Sequence, residues 1–209
     1  MSYHHEQETL DDLKAWWAKW GNALTWVVLA ALLAGAAYNG WNGWQRRQAA
    51  QAAVFYDTIQ QAVASGDKTQ IARVAADMEA RFGGTAYAPL SALAAAKALY
   101  TAGDVAGAKG QLQWVVDQAR GDEFKAIARL RLAALLIDEK AYDAGLKLLS
   151  DPPPQAFSGL YADRRGDLLA AQGKRDDARA AYQTALAALE HGDSSVRQLI
   201  QFKLDALGG

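Results

Sequence analysis

The stretch "ADRRGDLLAAQGKRDDARAAY", residues 162–182, decides how most of this 209-residue chain is read. It is rich in alanine, leucine and arginine, the strong helix formers. A small residue, Gly166, stands midway through its first half, and Gly173 then interrupts the run. A second run opens with the small Ala178, and four residues later comes the large Tyr182. Asp176 falls near the start of that second run, where a carboxylate complements the helix dipole. The pattern predicts two short antiparallel helices joined by a tight turn.

The same arrangement recurs upstream. "ALAAAKALYTAGDVAGAKGQL" (92–112) and "ARLRLAALLIDEKAYDAGLKLL" (128–149) each place a small residue midway in the first helix, Ala96 and Ala133, in register with Gly166. Each then has a small residue opening the second helix, Ala108 and Gly145, and a large apolar one four residues on, Leu112 and Leu149. The midpoints lie 37 and 33 residues apart, the period of tetratricopeptide-type helix pairs. The chemistry is steric: helices approach closely only where small side chains meet, and large neighbours fill the space left over. Gly103 and Gly173 supply the permissive backbone of the turn, and Asp104 stands near the start of the helix after the first of these turns. The middle copy puts Lys140 where the others have glycine.

The flanks extend the pattern. Upstream, a helix continues through "QAAQAAVFYDTIQQAVASGD" (48–67) to Ser65-Gly66-Asp67, and another runs from about Lys68 to Arg81 before Gly83-Gly84. Downstream, Pro152 to Pro154 separate two repeats as an extended spacer, with a proline-motif ligand as the alternative use. Past His191-Gly192, Ser194 or Ser195 can cap a last helix that hides the open end of the stack. Its faces are set by Val196, Leu199, Ile200, Lys203, Leu204 and Leu207.

Residues 19–48, "KWGNALTWVVLAALLAGAAYNGWNGWQRRQ", carry no charge between Lys19 and Arg46. The 22 residues from Trp20 to Trp41 make a helix of roughly 33 Å, against a hydrocarbon core about 30 Å thick. The expected anchor uses Trp20, Leu24, Trp26, Val27, Val28, Leu29, Leu32, Leu33, Tyr38, Trp41 and Trp44, with membrane lipid as its partner. Six of the seven tryptophans lie in or beside it, and the flanking ones are spaced as an aromatic belt at headgroup level. Ala34-Gly35-Ala36 would serve as the cleavage site of an export signal, and a buried helix of a soluble protein is a further reading. Glu6, Glu8, Asp11 and Asp12 argue against a cleaved signal, whose leader is net positive. Leu10, Leu13, Trp17 and Trp20 at helical spacing suggest an amphipathic entry into the membrane, or an extension of the same helix. Lys14 and Lys19 balance Arg46 and Arg47, so the charge rule does not orient the span.

From Arg46 onward there are 20 basic and 19 acidic residues, a mixed surface that implies no nucleic-acid partner. Cysteine is absent, which removes disulfides, thiolate metal sites and cysteine nucleophiles. Histidine is limited to His4, His5 and His191, and no HExxH, GxSxG or GxxxxGK[ST] motif occurs. His4-His5 with Glu6 and Glu8 could hold a metal only weakly in a terminal tail. "FGGT" (82–85) reads as a helix stop, the pairs Asp138-Glu139 and Asp176-Asp177 as helix junctions, and "RGD" (165–167) as part of a helix. No enzyme activity, cofactor or metal is expected.

What remains is a surface. The first helix of each pair usually lines the hollow side of such a stack. That places Leu93, Lys97 and Tyr100, then Ile127, Leu130 and Ile137, then Asp163 and Asp167 on a candidate groove suited to a peptide or a partner helix. The alternative is that the apolar members pack between repeats.

An acidic tail, "LKAWWAKWGNAL" entering one apolar span, and a repeat region containing "YAPLSALAAAKALYTAGD", "YADRRGDLLAAQGK" and a closing "IQFKLDAL" together resemble the ancillary subunit of the bacterial SecYEG translocon, the YfgM-type family. The resemblance implies an inner-membrane protein crossing once, N-terminus in the cytoplasm and repeat domain in the periplasm. It also implies association with the translocon, with a membrane-anchored periplasmic prolyl isomerase and chaperone, and with exported client proteins on their way to periplasmic chaperones. Arg46-Arg47 on the periplasmic side departs mildly from the positive-inside pattern. A scaffold for envelope assembly or cell division is the alternative function. The expected architecture is all-α: a tail at 1–20, a transmembrane helix at 21–45, and a tetratricopeptide-like solenoid at 46–209. Its units fall at about 89–122, 126–151 and 159–190, with a capping helix at about 194–207.

Overall fold

The structure, a computed structural model, describes residues 3–189 and 193–208, with side chains described from residue 14 onward. The side chains of His4, His5, Glu6, Glu8, Leu10 and Leu13, and the pair His191-Gly192, lie outside the described residues. Among the described residues the chain is all-α. In order come α1 (Tyr3–Ser65), α2 (Lys68–Phe82), α3 (Tyr87–Thr101), α4 (Val105–Gln118), α5 (Asp122–Asp138), α6 (Tyr142–Leu148), a 3-10 turn (Gln155–Phe157), α7 (Ser158–Ala171), α8 (Arg175–Ala188) and α9 (Ser194–Ala206). The chain divides into two compact units, Met1–Gln48 and Ala49–Gly209.

Within the second unit, local chemistry sets the helix boundaries. Gly66 leaves α1 at φ 71°, and the Asp67 carboxylate then accepts hydrogen bonds from the amides of Thr69 at 2.9 Å and Gln70 at 3.2 Å, capping α2. Asp104 caps α4 in the same way through Gly107 N–H at 2.9 Å. The cap of α9 is Asp193 rather than Ser194 or Ser195; its carboxylate accepts from Ser195 N–H at 2.8 Å, and hydrogen bonding by Ser195, through its side chain first and its amide second, holds the Asp193 pKa below the ordinary value. A carboxylate is the stronger acceptor of the two types and adds charge at the positive end of the helix dipole.

The first helix of each pair ends identically. Gly103, Lys140 and Gly173 adopt φ of 81°, 59° and 78°, and the amides that follow reach back to Leu99, Leu136 and Leu169 carbonyls at 2.8, 2.8 and 2.9 Å. This is the glycine-terminated helix stop. Lys140 therefore occupies a left-handed slot that glycine fills in the other two repeats.

Among the described residues three apolar cores follow one another along the unit. The first joins the end of α1 to α2, α3, α4 and α5 around Ile59, Ile71, Met78, Leu99 and Val115. The second lies between α5, α6 and α7 around Ala133, Leu149, Tyr161 and Leu168, and the third gathers α7, α8 and α9 around Ala178, Tyr182, Ala185 and Ile200. Small residues set the approach distances. A Cβ on Gly166 would lie 2.5 Å from the Tyr182 ring, and one on Gly145 would lie 2.6 Å from a terminal methyl of Leu168, so alanine at either position requires the neighbouring side chain to move. Pro154 is extended at φ −51° and ψ 144° before the 3-10 turn, which gives the spacer between α6 and α7 its form.

Candidate functional site

In the first unit the anchor residues lie in one helix and point outward. Trp26, Leu32 and Tyr38 are 66, 66 and 68% exposed, and Trp20, Leu24, Val27, Val28, Leu29, Leu33, Trp41 and Trp44 are exposed as well. The helix contains a window apolar and long enough to cross a membrane, of which 6% is buried inside the structure. The core helix of a soluble protein would be mostly covered, whereas among the described residues this apolar surface is left open. The Thr25 hydroxyl donates to the Gly21 carbonyl at 2.8 Å, which satisfies a polar group internally, as a lipid environment demands. The Trp41 and Trp44 rings lie 5.3 Å apart, forming an aromatic pair at one end of the stretch.

In the second unit a cleft of about 390 Å³ opens between α3, α4 and α5. Its floor is Ala96, Ala108, Leu112, Ala134 and Leu135, and its rim carries Lys97, Tyr100, Arg131 and Asp138. The Tyr100 hydroxyl stands 3.5 Å from the Asp138 carboxylate, and the Arg131 guanidinium donates to the Leu93 carbonyl at 3.3 Å. A second cleft, of about 480 Å³, lies on the other side of α3, between it and the end of α1. Gln60, Val63, Gly66, Ala94, Lys97, Ala98, Thr101 and Ala102 line it. Lys97 belongs to both.

The sequence-derived groove residues are distributed over four places. Lys97 and Tyr100 are exposed on the rim of the first cleft. Leu93 is buried in the first core, and Ile127 packs against it half-buried. Leu130 and Ile137 pack against the second core. Asp163 and Asp167 are held by Lys203 of α9: its ammonium lies 2.7 and 2.9 Å from the Asp163 oxygens and 2.8 Å from one Asp167 oxygen. Tyr182 donates to Asp167 at 2.9 Å, and Arg164 reaches its other oxygen at 3.1 Å. Burial pushes the Asp163 carboxyl above its ordinary pKa, with Lys203 opposing and Asp167 adding to the rise. Burial, followed by the Asp167 charge, raises the Tyr182 hydroxyl.

Sequence reasoning missed Arg131, Ala134, Leu135 and Asp138. They stand at i, i+3, i+4 and i+7, a single helical stripe, and that spacing was the available signal. The adjacent carboxylates are engaged structurally. Glu139 pairs with Lys109 at 2.6 Å, and Asp176 with Arg179 at 3.4 Å. Among the described residues no three His, Asp or Glu side chains converge as a metal site requires. "FGGT" ends α2, and Arg165 to Asp167 lie inside α7.

A tetratricopeptide repeat-like domain family matches residues 14–209. A protein of Neisseria gonorrhoeae (strain ATCC 700825 / FA 1090) named "Ancillary SecYEG translocon subunit" is 31% identical, covering 99% of this chain and 100% of the relative. A protein of Escherichia coli (strain K12) with the same name is 26% identical over 88% of each chain. One from Aggregatibacter actinomycetemcomitans, also so named, is 29% identical over 59% of each. No solved structure matches the chain.

Proposed function

The chain belongs to the YfgM-type family of ancillary SecYEG translocon subunits, and from that premise we propose that it is a non-enzymatic, membrane-anchored interaction module at the protein-export channel. The observation that carries this reading is the pairing, in one chain, of an exposed apolar helix with a repeat unit whose clefts are open. Residues 21–45 cross the inner membrane once, with Trp20 and the pair Trp41 and Trp44 at its two interfaces. Residues 1–20 lie in the cytoplasm and residues 46–209 in the periplasm, an orientation taken from the family resemblance because the flanking charges balance.

The tether raises the effective concentration of the repeat unit toward the channel and toward emerging chains, to roughly the millimolar scale, so weak contacts suffice. Exported proteins pass along the α3 clefts to periplasmic chaperones, a membrane-anchored prolyl isomerase among them. The groove in use centres on Lys97 and Tyr100; Leu93, Ile127, Leu130 and Ile137 shape it from behind, and Asp163 with Asp167 fixes the closing helix.

The test is co-purification in mild detergent. The full chain brings the translocon with it, and a variant lacking residues 1–45 does not. Equal recovery from the truncated variant contradicts the anchor's role. A photo-crosslinker at Tyr100 captures channel or newly exported chains on this account, whereas capture of cell-wall or division proteins alone favours an envelope scaffold.

A further inference from the structure

We infer that the two clefts beside α3 form one site for an extended chain segment with an acidic residue between two apolar ones, in the pattern apolar–x–acidic–x–apolar. The inference rests on the reading of the repeat unit as an interaction module. At about 390 and 480 Å³ the clefts lie at the small end of the range for ligand sites, roughly 300 to 1,000 Å³. Each has room for one large side chain and the backbone carrying it. A whole helix, about 10 Å across, is too wide.

Their lining sets the chemistry. Ala96, Ala108, Leu112 and Leu135 make one floor apolar, and Val63, Ala94 and Ala98 do the same for the other. On the ridge between the floors stands Lys97, whose ammonium has no hydrogen-bond or ion-pair partner among the described residues. Across the first cleft stands Arg131, whose guanidinium among the described residues is engaged by a neutral carbonyl, that of Leu93. The nearby pair Lys109 and Glu139 neutralise each other, and Asp138 faces Tyr100, which leaves the rim with two cations against one carboxylate. An acidic side chain is the complement.

Geometry then orders the segment. In an extended chain alternate residues share one face, at about 3.3 Å per residue, so positions i, i+2 and i+4 span about 13 Å. Neighbouring helices pack about 8 to 10 Å apart, so such a segment crosses the α3 ridge with one apolar side chain on each side and its carboxylate above Lys97.

The experiment uses the full chain in lipid nanodiscs and a fluorescein-labelled peptide centred on Leu-Ser-Asp-Ser-Leu, followed by anisotropy. Lys97→Glu is the test variant, since the Lys97 side chain is exposed and has no partner among the described residues, with circular dichroism to confirm the fold. The expected results are saturable binding, about a tenfold loss when the peptide's Asp becomes Asn, and about a tenfold loss for Lys97→Glu. Binding by Lys97→Glu recovers when the peptide carries Lys in place of Asp. Absence of binding, equal affinity for the Asp and Asn peptides, or indifference to Lys97→Glu would each overturn the inference. Co-purification of the same variants with the translocon separates the two claims. If association persists without peptide binding, the inference fails alone; if peptide binding persists without association, the translocon reading fails alone.

Discussion

The Lys203 ammonium of α9 lies 2.7 Å from Oδ1 of Asp163, 40 residues earlier in the chain, and the same ammonium meets Asp167 at 2.8 Å. One cation thus joins two carboxylates of α7 to the helix that closes the stack. Lys203→Met leaves both carboxylates without it, and the loss expected is about 2 to 3 kcal/mol, because an unpaired charge in a largely buried site costs more than the pair contributes. Urea unfolding in detergent measures that loss, and amide exchange should show α9 opening first. The deficit shrinks as pH falls and the stranded Asp163 carboxyl, already raised by burial, takes up a proton.

Gly166 and Tyr182 set the closest approach of α7 and α8. Since a Cβ on Gly166 would fall 2.5 Å from the ring, Gly166→Ala is expected to destabilise the unit by about 1 to 3 kcal/mol, despite alanine's better helix propensity. Adding Tyr182→Leu makes room for the methyl group, and the double variant should lose less than the two single losses added together. A double-mutant cycle reads the coupling.

Lys140 is the non-glycine residue with positive φ, at 59°, among the described residues, and it occupies the slot that Gly103 and Gly173 fill elsewhere. Lys140→Gly is therefore expected to stabilise the chain by roughly 0.5 to 1 kcal/mol, the relief of left-handed strain exceeding glycine's extra freedom in the unfolded state. An increase in the midpoint of thermal unfolding checks it; a decrease would mean that the Lys140 side chain contributes contacts of its own.

How legible these features were in the sequence depended on their range. The helix stops were readable because each depends on one local residue, and even Lys140 could be placed by alignment with its glycine counterparts. The cleft was half readable. Lys97 and Tyr100 stood out on α3, but α5 packs on both sides, with Leu132 and Leu135 in the first core and Leu130 and Ile137 against the second. A helix apolar on opposite faces offers no single periodicity, so the stripe from Arg131 to Asp138 could not be chosen over the one from Ile127. Asp163 and Asp167 looked like rim charges because their cation comes from the far end of the unit, a pairing that no local spacing encodes.

Glu79 on α2 gives the repeat unit a pH dependence. Burial pushes its carboxyl up to about 7, and the Gln111 side chain on α4 only partly offsets this. The folded state thus holds a proton that the unfolded state releases near pH 4.5, so the stability this carboxyl contributes is fully present below that value and is lost as pH rises through about 7. With solvent screening the change is no more than about 2 kcal/mol. Glu79→Gln should raise the stability at pH 8 and flatten the profile between pH 4.5 and 7, as measured by thermal melts across that range.

The central claim is that residues 21–45 hold the chain in the inner membrane with the repeat unit on its outer side. Protease added to intact spheroplasts measures this most directly, with the fragments identified by antibodies to each end of the full-length chain. The account predicts that the repeat unit is digested in intact spheroplasts, while an N-terminal fragment carrying the tail and the span stays with the membrane after an alkaline wash. A repeat unit protected until the membrane is permeabilised, or an intact chain released into the soluble fraction without detergent, would contradict it.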